Sequence, residues 1–334
     1  MIQEGALAAL HPQSQAYLRQ AAEWWTARGL PPIYRLTPAA AREAVADFRR
    51  EFAAPLAPMD LVEDHELEAR SGPRRVRIFR PWTAHEEALP VVLYFHGGGY
   101  VVGGIEESEH EARRLATILP ALVVSASYRL GPEHPFPAAV EDGYDALLWA
   151  AHNAGRYGGD MRRLVVGGTS AGGGLAAAVT RLAVRENGPR IALNYLFCPW
   201  LDLTFGEPSV TVFGAGYGLD RDELEWFARG YLGATAGAAD PLISPALHPV
   251  PAQMPPTIIL AAECDPLVDE AKTYARRLEE AGAPVMLYPA PGMIHAFNTL
   301  VHLIPEGERH LKPVEAAMRR LIREGGAPDR DAQA

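Results

Sequence analysis

Residues 164–174, with the sequence LVVGGTSAGGG, decide how the rest of the chain is interpreted. The apolar run at 164–166 predicts a short buried strand, and the residues from Gly173 onward have the pattern of a helix. Ser170 stands between them, with one glycine two residues before it and another two residues after it. On so tight a strand-to-helix turn the serine hydroxyl is lifted above the sheet, and larger flanking side chains would collide. The stretch therefore predicts a nucleophilic serine at the end of a strand.

Apolar runs alternate with helical stretches on both sides of this turn. Strands that are apolar on both faces and alternate with helices indicate a mostly parallel sheet with helices on both faces. The predicted fold class is therefore α/β, and two half-exposed strands at 60–69 and 74–80 precede the alternation. The other predicted strands are at 91–95, 121–126, 192–197, 257–262 and 285–288, and the predicted helices are at 107–118, 137–152, 173–187 and 266–281.

Two segments interrupt the alternation. Near the N-terminus, 12–28 and 38–53 have the apolar spacing of amphipathic helices. Residues 202–250 are rich in glycine, proline and aromatic residues, and they are too long for a simple connection between strands. We interpret both segments as a helical cap over one edge of the sheet. The expected division is 1–55 for the N-terminal part of the cap, 56–201 and 251–324 for the core, 202–250 for the second cap segment and 325–334 for a C-terminal tail.

A run of three glycines follows the strand at 91–95. His96 is followed by Gly97, Gly98 and Gly99, and such a run lets backbone N–H groups turn towards a ligand. Fixed N–H donors stabilise the oxyanion of a tetrahedral intermediate, and an HGGG loop has this role in ester-cleaving enzymes together with the residue after the nucleophile, here Ala171. The loop is not a phosphate-binding loop, because neither G-x-G-x-x-G nor G-x-x-x-x-G-K-[ST] occurs. We expect His96 to fix the loop by hydrogen bonding.

The candidate base and acid come after two later strands. His295 follows the predicted strand at 285–288, and Asp265 follows the one at 257–262. The carboxyl ends of parallel strands meet at one edge of the sheet, so both side chains are expected near Ser170. The histidine would take the serine proton and the aspartate would orient the histidine. His302 is the alternative base and Asp202 the alternative acid.

With these residues in place, the chain resembles the hormone-sensitive lipase family of α/β-hydrolases, in its bacterial esterase branch. The resemblance spans about residues 90–300, and the nucleophile block matches the subgroup with Gly-Thr-Ser-Ala-Gly-Gly. The matching blocks are HGGG at 96–99, YRLGPE at 128–133, FPA at 136–138, GTSAGG at 168–173, DPL at 265–267 with DE at 269–270, and HAF at 295–297.

The resemblance implies the α/β-hydrolase fold with a cap and a carboxylesterase without a cofactor. Short- to medium-chain acyl esters would react through an acyl-enzyme on Ser170, with Gly98 and Gly99 as oxyanion donors beside Ala171. A ligand-binding receptor on the same fold is disfavoured because His295 is present. An acyltransferase or amidase with the same triad stays open, because only the acceptor differs. A true lipase is less favoured, because no long amphipathic surface helix is evident.

Composition excludes several other classes. The 334 residues carry a net charge of −10, which argues against nucleic-acid binding. Residues 1–11 lack a secretory signal and no apolar run approaches the ~18 residues of a membrane span, so we expect a soluble, cytoplasmic protein without a membrane partner. No histidine has a metal-site spacing, and Cys198 and Cys264 are expected to be buried free thiols. The expected partner is a small-molecule ester, and both a monomer and a homodimer stay open.

Overall fold

The strands form one sheet in the structure, a computed structural model that describes residues 10–83, 88–234 and 236–325. Within these residues the sheet has eight strands in the order β1-β2-β4-β3-β5-β6-β7-β8. β2 pairs antiparallel with both β1 and β4, and all other neighbours are parallel. The strands are β1 Leu61–Ala69, β2 Gly72–Arg80, β3 Leu89–Phe95, β4 Leu122–Ala126, β5 Gly159–Thr169, β6 Leu193–Phe197, β7 Thr257–Cys264 and β8 Val285–Ile294.

Helices connect the strands and cover the sheet. In the part of the chain that the structure describes, no helix has the length and apolar character needed to cross a bilayer. Short 3-10 helices cover Ile33–Arg35, Ala154–Tyr157, Pro245–Leu247 and Phe297–Leu300. The α-helices are α1 Pro12–Ala27, α2 Pro38–Glu51, α3 Glu109–Ile118, α4 Ala138–Asn153, α5 Ala171–Arg185, α6 Pro208–Val212, α7 Arg221–Leu232, α8 Val268–Glu280 and α9 Gly307–Arg323.

The buried strand β3 shows how the two faces of the sheet are used. Its side chains alternate between faces, as the two-residue period of a strand requires. Val91 and Leu93 belong to one apolar cluster, which includes residues of α4, α5 and α8. Val92 and Tyr94 belong to a second cluster, which includes residues of α3 and α9. Helices therefore pack on both faces, and the predicted α/β class is confirmed.

Two elements near the C-terminus differ from the sequence prediction. α9 was not predicted, because Pro313 and many charged residues obscure its apolar stripe, although Leu311, Val314 and Met318 are buried. β8 extends beyond the predicted end at residue 288 as far as Ile294. It is an edge strand, so it tolerates prolines that a central strand would not. His295 therefore follows the strand directly.

The two segments outside the alternation lie against the loop that follows β3. Arg42 of α2 donates hydrogen bonds to the carbonyl oxygens of Val101 and Gly131, both at 2.8 Å. The 3-10 helix Ile33–Arg35 contacts α7, which lies in the segment at 202–250. We call 202–250 the inserted segment; the N-terminal segment and the inserted segment therefore also contact each other. Residues 1–9 and 326–334, at the ends of the expected N-terminal cap part and C-terminal tail, lie outside the described residues.

Candidate active site

Ser170 occupies a strained turn between β5 and α5. Its φ is 59° and its ψ is −122°, a conformation that non-glycine residues rarely adopt. Hydrogen bonds hold the turn: the Ser170 N–H donates to the Phe197 carbonyl at 2.8 Å, and the Ser170 carbonyl accepts from Gly174 and Trp200 at 3.0 and 3.1 Å. The helix starts at Ala171, two residues earlier than predicted, so the serine stands directly before its N-terminus.

The flanking glycines are required by space, as predicted. A Cβ atom on Gly168 would lie 2.5 Å from the Phe95 carbonyl oxygen. A Cβ atom on Gly172 would lie 2.5 Å from the His96 carbonyl oxygen and closer still to that of Phe95. Both distances are far inside van der Waals contact. The nucleophile turn is therefore pressed against the start of the glycine loop.

The predicted base and acid meet at this serine. The His295 Nε2 atom lies 2.9 Å from the Ser170 Oγ atom, and its Nδ1 atom lies 2.7 Å from an Asp265 carboxylate oxygen. The other carboxylate oxygen accepts the Leu267 N–H at 2.9 Å. The His295 side chain is 11% exposed and the Asp265 side chain 1%. The structure thus brings serine, imidazole and carboxylate into one hydrogen-bonded line.

The alternative base and acid are bound elsewhere. The Nε2 atom of His302 lies 2.9 Å from the Phe52 carbonyl oxygen. The Asp202 carboxylate accepts the N–H and the hydroxyl of Thr204, at 2.8 and 2.6 Å. Neither side chain has a contact with Ser170 among the described hydrogen bonds, so the geometry favours His295 and Asp265.

The glycine loop presents free backbone donors beside the serine. Gly98 and Gly99 have φ values of 136° and 60°, which favour glycine. A Cβ atom on Gly97 would be in contact with the Cβ of Ser170, at 3.4 Å, so the loop and the nucleophile are adjacent. Among the described residues, no acceptor takes a hydrogen bond from the N–H of Gly98, Gly99 or Ala171. These three groups are therefore available to an oxyanion.

His96 supports this loop and is not placed to act as a base. Its Nδ1 atom lies 3.1 Å from the Gly97 carbonyl oxygen, and its ring stacks on Tyr128 with the ring centres 4.3 Å apart. The Tyr128 hydroxyl donates to the His96 carbonyl at 2.7 Å. Burial lowers the pKa of His96 to about 4, so the ring is neutral at physiological pH. The predicted loop-fixing role agrees with these contacts.

Comparison with known families identifies the family of the fold. The sequence profile of the α/β hydrolase fold family matches residues 92–299, more than half of the chain. The matched span contains Ser170, Asp265 and His295. The chain belongs to the α/β hydrolase fold family.

This α/β hydrolase is similar to several named hydrolases along most of its length. It is 34% identical over 317 residues to ethyl acetate hydrolase from Pseudomonas putida, covering 94% of this chain and 99% of the relative. It is 35% identical over 250 residues to carboxylesterase NlhH from Mycobacterium tuberculosis, covering 74% and 78%. An α/β hydrolase enzyme from the metagenome of Lake Arreo, Spain, superposes with a TM-score of 0.88 at 33% identity, covering 96% of this chain and 99% of that one.

One cysteine of the hydrolase is a neighbour of the acid. Both cysteines are buried and free, as predicted. The sulfur of Cys198, after β6, lies within 4.8 Å of ligand atoms of Asp265 and His295. Burial raises the pKa of the Cys198 thiol well above its usual value, and the Asp265 carboxylate raises it further. The thiol therefore stays protonated and can donate a hydrogen bond to the neighbouring Asp265 carboxylate. This position of Cys198 was not predicted from the sequence, although β6 and β7 are neighbouring strands.

α7, in the segment at 202–250, packs Phe227 against the glycine loop and carries Glu223 one turn earlier. The ring of Phe227 packs against Gly99 so closely that a Cβ atom on the glycine would overlap it. One turn earlier, the Glu223 carboxylate accepts the Asp220 N–H at 3.0 Å and closes a capping box. Burial raises the pKa of Glu223 to about 7 and repulsion from Asp220 adds to it, while the Asp220 N–H and the charge of His295 lower it. Glu223 was not predicted from the sequence, although its spacing of four from Phe227 puts both on one helix face.

Proposed function

We propose that this chain is a serine carboxylesterase that hydrolyses short- to medium-chain acyl esters through an acyl-enzyme on Ser170. The observation that carries the proposal is the line of contacts from the Ser170 hydroxyl through His295 to Asp265, at 2.9 and 2.7 Å. The similarity to ethyl acetate hydrolase and to carboxylesterase NlhH supports ester hydrolysis as the reaction.

Acylation begins at the serine hydroxyl. The Ser170 Oγ atom attacks the ester carbonyl carbon while the Nε2 atom of His295 takes the hydroxyl proton. Asp265 holds the Nδ1–H of His295 and stabilises the imidazolium that forms. The oxygen of the tetrahedral intermediate becomes negative, and the N–H groups of Gly98, Gly99 and Ala171 are the proposed donors to it. When the intermediate collapses, the carbon–oxygen bond to the alcohol breaks and His295 donates its proton to that alcohol.

Deacylation repeats the same chemistry with water as the nucleophile. His295 takes a proton from the water, whose oxygen attacks the acyl carbon and forms a second tetrahedral intermediate. Its collapse breaks the bond to Ser170, returns the proton to the serine oxygen and releases the carboxylic acid. Every proton and bond change in this proposed cycle is assigned to these residues and to water.

The finer parts of the proposal rest on motifs and on the segments outside the core. The HGGG and GTSAGG blocks support membership of the hormone-sensitive lipase family and its threonine-containing subgroup. We assign 1–55 and 202–250 to a cap, which the contacts of Arg42 and Phe227 with the loop after β3 support. The cytoplasmic location and the choice between monomer and homodimer stay predictions from the sequence.

The test is the hydrolysis of p-nitrophenyl esters of increasing acyl length by the wild type and two serine variants. We expect turnover to fall beyond medium chains, and Ser170→Ala to lose at least about 10⁴-fold in kcat. Ser125→Ala is the matched control, because its buried hydroxyl has no hydrogen-bond partner among the described residues. Undiminished activity on long-chain substrates would contradict the acyl range, and wild-type rates in Ser170→Ala would contradict the mechanism.

A further inference from the structure

A chain of hydrogen bonds at the residue before the catalytic serine joins the end of β5 to the segment that carries the base. Thr169 is the last residue of β5 and immediately precedes Ser170. Its hydroxyl donates to the Glu111 carboxylate of α3 at 3.0 Å. The same hydroxyl oxygen accepts the side-chain N–H of Asn298 at 3.0 Å. Three residues from separate parts of the chain are therefore linked through one buried hydroxyl.

We propose that Thr169 is a positioning residue, which with Glu111 and Asn298 holds the Ser170 hydroxyl at the correct distance from His295. This proposal rests on the esterase mechanism proposed above. In this role the side chains of Thr169, Glu111 and Asn298 do not contact the substrate. Their action is on the separation between the Ser170 Oγ and His295 Nε2 atoms, which is 2.9 Å.

The donors and acceptors of the chain fix its direction. Asn298 donates to Thr169 and Thr169 donates to Glu111, so the threonine hydroxyl uses its donor and an acceptor site together. The Tyr94 hydroxyl is a second donor to the same Glu111 carboxylate oxygen. Burial raises the pKa of Tyr94 well above its usual value, and Glu111 raises it further, so the tyrosine keeps its proton. The hydroxyls of Thr169 and Tyr94 thus both donate to one Glu111 oxygen, which attaches this chain of hydrogen bonds to α3.

Thr169 and Asn298 both lie next to unusual backbone. Thr169 precedes Ser170, whose φ is 59°. Asn298 belongs to the 3-10 helix Phe297–Leu300, which begins after Ala296. Ala296 has a φ of 55°, and His295 is the residue before it. Strained turns persist only where surrounding contacts determine them. The bridge between Thr169 and Asn298 is a contact of this kind, because it ties the two turns directly to each other.

A small displacement of the Ser170 hydroxyl relative to His295 would lower the catalytic rate. Misplacement of reacting groups by about 1 Å can lower a rate about 100-fold, although the groups themselves are unchanged. Removal of the Thr169 hydroxyl breaks the links to Asn298 and Glu111 at once, together with a longer contact from the Tyr94 hydroxyl at 3.4 Å, and leaves Asn298 and Glu111 with one partner fewer each. Because the substrate contacts are unaffected, the loss belongs in kcat and not in KM.

The experiment compares Thr169→Val with Thr169→Ser and with a matched threonine. Thr180→Val makes the same atomic change at a buried threonine of α5 whose hydroxyl has no partner among the described residues. Steady-state hydrolysis of p-nitrophenyl butyrate and the rate of phosphorylation by diethyl p-nitrophenyl phosphate are measured for each. Thr169→Val is expected to lower kcat and the phosphorylation rate about 10- to 100-fold, while its KM stays within about twofold of the wild-type value. Thr169→Ser is expected to restore kcat to within about threefold of the wild type. Thr180→Val is expected to match the wild type.

The outcome that overturns the proposal is a kcat for Thr169→Val within twofold of that for Thr180→Val, or a loss confined to KM. If Thr169→Val does not fold, Asn298→Leu provides the test, because Asn298 is only partly buried and its side chain makes the other bond to the Thr169 hydroxyl. It is expected to lower kcat about 3- to 10-fold with unchanged KM. An unchanged kcat in that variant also overturns the proposal. Failure of the esterase mechanism is recognised separately, as full activity in Ser170→Ala.

Discussion

Replacement of Asp265 by asparagine is a sharp test of how the base is held. In the wild type one carboxylate oxygen accepts the Leu267 N–H at 2.9 Å, and the other faces the Nδ1 atom of His295 at 2.7 Å. An asparagine has one oxygen and one NH₂ group. If its oxygen keeps the Leu267 N–H, its NH₂ group faces Nδ1, which must then accept. The proton of the neutral imidazole moves to Nε2, where it faces Ser170 and blocks proton transfer.

The size of the effect follows from the two ways in which the asparagine can be oriented. The reverse orientation keeps the correct tautomer but sets an NH₂ group against the Leu267 N–H, which costs about 1–3 kcal/mol in this buried place. That penalty alone lowers the reactive population about 5- to 150-fold. The charge that stabilises the imidazolium is lost in either orientation. We therefore expect a total loss of about 10⁴ in kcat, or about 5 kcal/mol of barrier.

The assay is steady-state hydrolysis of p-nitrophenyl butyrate by Asp265→Asn at several pH values. Asp202→Asn is the matched control, because Asp202 is also buried but its carboxylate binds Thr204. We expect the control to keep kcat within about threefold if the alternative acid has no part in the mechanism. A kcat for Asp265→Asn within tenfold of the wild type would refute the reasoning, and so would a larger loss in the control.

Two further predictions concern the nucleophile turn and the inserted segment. Gly172→Ala places a Cβ atom 2.5 Å from the His96 carbonyl oxygen, so we expect the free energy of unfolding in urea to fall by about 1–3 kcal/mol and kcat to fall with it. Gly155→Ala, where no atom lies within 4 Å of the new Cβ, should change neither; equal effects would contradict the steric argument. Burial raises the pKa of the Glu223 carboxyl from 4.5 to about 7. As pH rises, the carboxyl therefore loses its proton in the unfolded chain before it does so in the folded protein. The free energy of unfolding falls as pH rises from about 4.5 to 7 for this reason. Glu223→Gln keeps an acceptor for the Asp220 N–H without the charge, and its Tm relative to the wild type should therefore be higher at pH 8 than at pH 4.5; a difference independent of pH would contradict this.

The parts of the molecule that the sequence predicted well are those with a local cause. Buried strands of a parallel sheet are apolar on both faces, and the run at 91–95 shows this without any knowledge of its neighbours. The turn at Ser170 was predictable because glycine at 168 and 172 reports crowding that the structure shows directly. His295 and Asp265 were predictable from their places after strands, because parallel strands end at a common edge.

The parts that escaped prediction depend on contacts between distant segments. Glu111 lies 58 residues from Thr169, and no local pattern marks it as the partner of the threonine hydroxyl. Glu223 belongs to a charged stretch that by sequence is indistinguishable from a solvated helix start, and only the packing of α7 gives it the burial that raises its pKa. Cys198 was correctly expected to be a buried thiol, but its place beside Asp265 required the order of β6 and β7.

The central claim is that Ser170 is a nucleophile activated by His295 and Asp265. The most direct measurement is the intact mass and peptide map of the protein after treatment with diethyl p-nitrophenyl phosphate. We expect one diethylphosphoryl group per chain, attached to Ser170, with one equivalent of p-nitrophenolate released and activity lost in proportion. Labelling that is absent, or that persists unchanged in Ser170→Ala, would contradict it.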